Sequence, residues 1–173
     1  GIGVGWLEEE FDALGVPFAG RGARTDAYVA AMRALWTGEE VDLDDGYQTW
    51  KRAVSLPTPA NGTVPVIIGG HSEGAARRAG RLGDGFFPGK GNNETLAHLI
   101  GVMRRTAEDH GRDPDAIEVT AGTPALGGDD PVGVVEEMAA LGIHRLITPP
   151  LAFDADSAPD AYAAFGERII SKV

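Results

Sequence analysis

Residues 65–88 read PVIIGGHSEGAARRAGRLGDGFFP and contain the pattern that decides the fold. A short apolar run ends abruptly at Gly69 and Gly70, and Ser72 follows as a residue type suited to cap a helix. An Ala- and Arg-rich stretch then leads to a second apolar run at residues 84–87. Strand, tight turn, helix and strand in this order predict a βα unit of a parallel sheet.

The turn itself has two interpretations. Glycines allow a close approach of the backbone to a ligand, and the first N–H groups of a helix favour an anion such as phosphate. The same spacing also fits a tight βα turn in which Ser72 only caps the helix, because glycine-rich turns of this kind are common. The spacing alone leaves both interpretations open.

Composition excludes several classes of function. The chain has 173 residues, with 15 Lys and Arg against 26 Asp and Glu, which gives a net charge of −11. Nucleic acid and anionic membranes are therefore not expected as partners, since both favour basic surfaces. The chain has no cysteine, which excludes disulfides, thiolate nucleophiles and Cys-based zinc sites. No apolar run has the length of a membrane span, and a cytoplasmic protein is expected.

The rest of the chain continues the alternation of strands and helices, and we expect a single domain over residues 1–173. Helices are predicted to begin after the caps Thr25 and Asp130, and a hairpin is predicted around Asp44–Gly46. The predicted parallel strands lie near residues 1–5, 65–69, 84–88, 117–121 and 144–148.

Three blocks of this sequence resemble the luciferase-like monooxygenase family, in particular its branch that depends on the deazaflavin coenzyme F420. They are GIGVGWLEEEFDALGVPFAGRGARTDAYVAAMRALWTGEEV at Gly1–Val41, VPVIIGGHSEGAARRAGRLGDGFFP at Val64–Pro88 and LGIHRLITP at Leu141–Pro149. The blocks occur in the family's order and at similar spacing. The resemblance implies an α/β fold, a (β/α)8 barrel that holds F420 or FMN at the carboxyl ends of its strands.

A complete barrel of this kind usually has about 250 residues, so the resemblance implies a partial TIM barrel here. We expect roughly strands 4–8 with their helices, the C-terminal part of the barrel; a naturally shortened family member is the alternative. Either form has open sheet edges, which favour association. The expected partner is the missing N-terminal half of the barrel or a second copy in a homodimer.

The resemblance also assigns roles to individual residues. Four residues after the second strand would hold the cofactor phosphate: Gly69, Gly70, His71 and Ser72. Gly3 and Gly5 would allow a flat tricyclic ring to lie against the backbone at the end of the first strand. Lys90, between two glycines, would meet the oligoglutamyl tail of F420.

Other polar and aromatic residues are expected to be structural. Trp6 is predicted to pack under the following helix, with a wall of the cofactor pocket as the alternative. Arg21 and Arg24 are predicted to pair with the acidic residues 8–10, with a contact to phosphate or substrate as the alternative. No histidine lies in a cluster with metal-ligand spacing, and no catalytic residue is assigned.

The resemblance therefore implies an oxidoreductase that transfers a hydride between F420 and a small organic substrate. The first alternative is an FMN-dependent luciferase-like monooxygenase. The second is a non-catalytic, truncated flavin-binding relative. In each enzyme the cofactor supplies the redox chemistry, so the lack of a nucleophile motif does not argue against catalysis.

Overall fold

A computed structural model describes residues 1–89 and 91–173. The chain divides into two compact units, residues 1–67 and 68–173. No helix among the described residues is long and apolar enough to cross a membrane.

The first unit contains two helices and a hairpin. Its elements are α1 (Glu8–Ala13), α2 (Arg21–Trp36), β1 (Val41–Asp44) and β2 (Thr49–Ala53). The two strands pair antiparallel, which confirms the hairpin predicted from the Asp–Asp–Gly turn. Val29 and Ala31 of α2 are buried.

One predicted helix start and one predicted strand in this unit were wrong. Helix α2 begins at Arg21 rather than after Thr25, and the hydroxyl of Thr25 donates to the Arg21 carbonyl at 2.9 Å inside the helix. The predicted strand at residues 1–5 is reduced to one bridge, in which the Ile2 N–H donates to the Ile67 carbonyl at 2.8 Å. Alternate glycines weaken a strand because they add no side-chain packing.

The structure also corrects the roles expected of Trp6 and the two arginines. Trp6 is 82 % exposed, because the acidic helix α1 has no buried residue against which the indole could pack. Arg21 donates to the Gly5 carbonyl at 3.1 Å and lies 3.7 Å from the centroid of the Phe18 ring. Arg24 donates to backbone carbonyls instead of the expected carboxylates. Carbonyls of the connecting loop thus take the place of the predicted ion pairs.

Four parallel strands form the sheet that carries the second unit, in the order β3-β4-β5-β6. Strands and helices alternate: β3 (Ile67–Gly69), α3 (Glu73–Leu82), β4 (Gly85–Phe87), α4 (Asn93–Asp109), β5 (Glu118–Gly122), α5 (Pro131–Ala140), β6 (Arg145–Ile147) and α6 (Ala158–Arg168). Short 3₁₀ helices cover Pro114–Ala116, Pro124–Gly127 and Ile170–Lys172. All four predicted strands of this region are confirmed.

The core of this unit is built from residues of the sheet and of the helices α3 and α4. Phe86 of β4 and Val119 of β5 are buried, as are Leu96, Ile100 and Met103 of α4. The apolar residues of α4 recur at helical spacing, and that helix packs closely against α3. Among the described residues the strands do not close into a barrel; they form an open, parallel part of one.

Side-chain caps mark the starts of α4 and α5 in the second unit. Asn92 accepts from the Thr95 N–H at the start of α4, and Asp130 accepts from the Gly133 N–H at the start of α5. Pro131 occupies the first position of α5, where its missing N–H costs nothing. The cap predicted at Asp130 is confirmed. Because the strands are parallel, these helix starts lie at the same edge of the sheet as the start of α3.

Candidate functional site

The loop that joins β3 to α3 has a backbone that requires glycine. Gly70 has a φ of +140°, and a Cβ added there would lie 2.8 Å from the Cβ of Ala75. Its N–H donates to the Phe87 carbonyl at 3.0 Å and continues the pairing of β3 with β4. Gly70 therefore shapes the loop, but its own N–H is already used within the sheet.

Helix α3 leaves donors available at its first turn. Ser72 occupies the cap position, and its hydroxyl oxygen accepts from the Ala75 N–H at 3.3 Å. The N–H groups of Glu73 and Gly74 precede this cap bond and have no intrahelical partner. The capping interpretation of Ser72 is thus confirmed, and it is compatible with an anion bound by the remaining N–H groups and the hydroxyl hydrogen.

One carboxylate lies in this first turn, and Arg77 and His98 are its partners. The Glu73 carboxylate is 2.7 Å from the Arg77 guanidinium and 2.9 Å from Nε2 of His98. The hydrogen bond with His98, followed by the charge of Arg77, holds the pKa of the Glu73 carboxyl below its ordinary value. Because the negative charge is paired, the start of α3 keeps its preference for an anion.

Two loops meet beside this helix start. His71 is exposed, and a Cβ added at Gly89 would lie 3.8 Å from the Cβ of His71. The loops after β3 and β4 therefore approach each other at the carboxyl edge of the sheet. Lys90, the predicted contact of the oligoglutamyl tail, lies outside the described residues, so its role stays a prediction.

The predicted ring-binding glycines belong to the first unit. Gly5 has a φ of +78°, and an added Cβ would lie 2.7 Å from the Phe11 ring, so local packing already requires glycine there. An added Cβ at Gly3 would meet no atom within 4 Å. The contact of Gly3 and Gly5 with a cofactor ring stays a prediction.

Arg112 is a positioning residue that the sequence reasoning missed. Its guanidinium is half-buried and donates to the carbonyls of Ala79, Gly80 and Gly83 at 3.2, 2.6 and 2.6 Å. These carbonyls lie in the last turn and at the C-cap of α3, where a cation meets the negative end of the helix dipole. The Ala79 carbonyl also accepts from the Gly83 N–H at 2.8 Å. The only sequence signal was an arginine directly after the Gly111 stop of the preceding helix. Arg112 fixes the far end of the helix whose start carries the candidate anion site.

A cavity of about 380 Å³ lies further along the same edge of the sheet. The segments after β5 and β6 form its floor, and α6 forms a side wall. The described residues contain no group of three or more His, Asp or Glu side chains that could hold a metal ion. The chemistry this unit offers is thus anion binding by N–H groups beside a largely apolar cavity.

A comparison with family sequence models finds a match over residues 1–169, to the model described as luciferase-like monooxygenase. The F420-dependent glucose-6-phosphate dehydrogenase of Mycolicibacterium gilvum is 35 % identical over 124 residues, which cover 68 % of this chain and 37 % of that enzyme. The chain thus spans under two fifths of the length of this relative.

Solved structures show the same fold at low sequence identity. The coenzyme F420-dependent tetrahydromethanopterin reductase from Methanopyrus kandleri superimposes with a TM-score of 0.77 at 15 % identity, over 98 % of this chain and 72 % of the reductase. An F420-dependent secondary alcohol dehydrogenase, solved with an F420-acetone adduct, gives a TM-score of 0.69 at 19 % identity, over 87 % of this chain and 62 % of the dehydrogenase.

Proposed function

This chain belongs to the luciferase-like monooxygenase family. We propose that it functions as an F420-dependent oxidoreductase, which transfers a hydride between F420 and a small organic substrate. The observation that carries the proposal is the start of α3, where unpartnered N–H groups follow a glycine turn at the carboxyl end of a parallel strand. The F420-dependent relative at 35 % identity supports F420 rather than another phosphorylated cofactor.

The residues at this helix start fit a phosphate monoester or diester. The N–H groups of Glu73 and Gly74 point out of the first turn, and the Ser72 hydroxyl can donate its hydrogen while its oxygen caps the helix. His71 is exposed beside them, where a protonated ring would add positive charge. F420, when bound, supplies the carbon that accepts or gives up the hydride.

The remaining residues of the site act by holding this loop in place. Gly70 keeps the turn tight through its N–H bond to the Phe87 carbonyl, and Arg112 fixes the opposite end of α3. The anion donors are therefore attached to the sheet at one end and to a half-buried arginine at the other. Such preorganisation lowers the cost of ordering a binding site when the ligand arrives.

FMN-dependent monooxygenation is the second candidate, and the description of the matching family model favours it. FMN also ends in a phosphate, so the same helix start would bind it. The two candidates differ in the ring and in the tail beyond the phosphate. Relative affinity for F420 and FMN therefore decides between them.

The test is a fluorescence titration of F420 with the wild-type chain and with a Gly70→Val, Ser72→Ala double variant. Valine at position 70 is incompatible with the φ of +140°, and alanine at position 72 removes the cap. We expect a loss of affinity of more than tenfold, or more than about 1.4 kcal/mol.

Asp113→Ala is the matched control, since Asp113 caps the 3₁₀ helix before β5, at the opposite end of the sheet. Its affinity for F420 should equal that of the wild type. An unchanged affinity in the double variant, with folding verified by circular dichroism, would remove the phosphate site from this loop.

A further inference from the structure

The cavity at the carboxyl ends of β5 and β6 has apolar walls. Leu126 and Ile169 are buried in them, and the half-buried side chains of Leu151 and Phe165 line the rest. Its volume of about 380 Å³ lies within the usual range for small-molecule sites. Sites of this size take small organic molecules.

One cation lies at this cavity. Arg168 of α6 lines it, and its guanidinium donates one bond to the Gly128 carbonyl. Among the ion pairs formed by the described residues, none includes Arg168. A guanidinium has five N–H donors in a planar fork, so several remain available for a carboxylate.

Two threonines add hydroxyl groups at the strand ends. Thr123 is 6 % exposed, and its oxygen accepts from the Ala125 N–H at 3.2 Å, which leaves the hydroxyl hydrogen to donate elsewhere. The Thr148 hydroxyl donates to the Pro149 carbonyl at 3.0 Å and keeps lone pairs free to accept. The cavity therefore combines an apolar body with a cation and a buried hydroxyl donor.

We propose that this cavity binds a small organic carboxylate with an apolar body. Its carboxylate would lie on the Arg168 guanidinium, and its apolar body would pack against Phe165 and Leu151. A neutral ligand of the same shape would lose the charge-assisted bonds, whereas acetate would lose the apolar contacts. The site thus selects for both features at once.

The position of the cavity relates it to the anion-binding loop in the same unit. In the order β3-β4-β5-β6, the ends of β5 and β6 lie two and three strands from that of β3. At about 4.8 Å between neighbouring strands, the separation is about 10–15 Å. The use of this cavity as the substrate side of the oxidoreductase rests on the proposed function, but carboxylate binding itself does not.

The probe is octanoate, whose ten non-hydrogen atoms suit the cavity, with octanamide as its uncharged analogue. We measure the binding of both by isothermal titration to the full chain without cofactor. Octanoate should bind at least tenfold more tightly than octanamide. Arg168→Gln should weaken octanoate binding at least tenfold and leave octanamide unchanged.

Arg145→Gln is the matched control, because Arg145 lies at the amino end of β6 and pairs with Glu118. It should bind octanoate as the wild type does. Ala164→Phe adds a ring to a cavity-lining position of α6 and should abolish binding of both probes. This second variant keeps the test valid if Arg168→Gln loosens the loop at Gly128.

Equal affinity for octanoate and octanamide, or an unchanged affinity in Arg168→Gln, would overturn the assignment of an anion site. The absence of octanoate binding to the wild type, or full binding to a folded Ala164→Phe variant, would overturn the site itself. Because F420 is absent from these titrations, failure here leaves the phosphate loop unaffected. Failure of F420 binding likewise leaves this result unaffected.

Discussion

Replacing Gly80 by alanine should push apart two helices that pack backbone against backbone. An added Cβ at Gly80 of α3 would lie 2.5 Å from the Met103 carbonyl oxygen and 3.0 Å from the Ala107 nitrogen of α4. Both neighbours are backbone atoms of a helix, so no side-chain rotation relieves the clash. The two helices would have to separate by several tenths of an ångström.

The magnitude follows from two opposing effects. Alanine is about 1 kcal/mol more favourable than glycine inside a helix. Overpacking a well-filled core costs about 1–3 kcal/mol, and a clash with backbone belongs at the upper end of that range. The net expectation is a loss of about 2 kcal/mol in the free energy of unfolding.

Urea unfolding followed by circular dichroism measures this loss, with Gly166→Ala as the matched control. Gly166 is also helical, in α6, and an added Cβ there would meet no atom within 4 Å. The control should gain up to about 1 kcal/mol from helix propensity alone. A Gly80→Ala variant as stable as its Gly166→Ala counterpart would refute the close packing of α3 on α4.

Three further changes test the contacts that position the candidate site. Arg112→Ala removes three bonds to the end of α3 and should cost about 2–3 kcal/mol in urea unfolding. His144→Ala deprives the buried Val119 N–H of its acceptor, the Nδ1 atom 3.0 Å away, and should cost about 1–3 kcal/mol in the same assay. Glu73→Gln should lower the thermal midpoint near neutral pH, because the bond with His98 lowers the pKa of Glu73 in the folded state. The contribution of Glu73 to stability is therefore present above the unfolded pKa of 4.5 and is lost as the pH falls through the lowered pKa.

Each of these has a contrary outcome. Arg104→Ala is the control for Arg112→Ala, because Arg104 forms an ion pair with the exposed Asp115. An equal loss of unfolding free energy in the two variants would mean that the end of α3 needs no cation. For His144, the control is His110→Ala, whose ring bonds an exposed helix-end carbonyl; equal losses in the two variants would contradict the role of the buried N–H. If Glu73→Gln differs from the wild type by the same amount at every pH, its ion pairs do not carry the effect.

The second unit was predictable from sequence because its signals are local and agree with one another. The apolar run before Gly69, the cap at Asp130 and the periodic apolar residues of α4 each specify one element. Parallel βα alternation then limits the ways in which those elements can pair. The partial (β/α)8 architecture followed from the resemblance and is confirmed by the solved relatives that share the fold.

The first unit was less predictable, because its sequence patterns for helix starts, packing and strands are weak. Thr25 is a good cap residue, yet its hydroxyl donates back into the helix, and the chain is already helical at Arg21. Trp6 was expected to pack on α1, but that helix begins with three consecutive glutamates and has no buried residue. The strand predicted at residues 1–5 is reduced to the bridge between Ile2 and Ile67, because alternate glycines add no side-chain packing.

Within the candidate site, the sequence indicated the loop. It did not indicate which of the loop's N–H groups bond within the protein and which remain available to a ligand. The hydrogen bond of Gly70 to the Phe87 carbonyl depends on the register of two strands, which no local pattern specifies. Arg112 lies far along the chain from the carbonyls it binds, so only the tertiary structure brings them together. The cavity at Arg168 likewise forms from segments that are separate in sequence.

Binding of a deazaflavin phosphate at the start of α3 is tested by a parallel fluorescence titration of the full chain. The ligands are F420, its phosphate-free deazaflavin core, and the pair FMN and riboflavin. We expect saturable F420 binding that is at least tenfold tighter than binding of the phosphate-free core, and tighter than that of FMN. Equal affinity for F420 and its phosphate-free core would contradict the phosphate site, and FMN binding tighter than F420 would contradict the choice of cofactor.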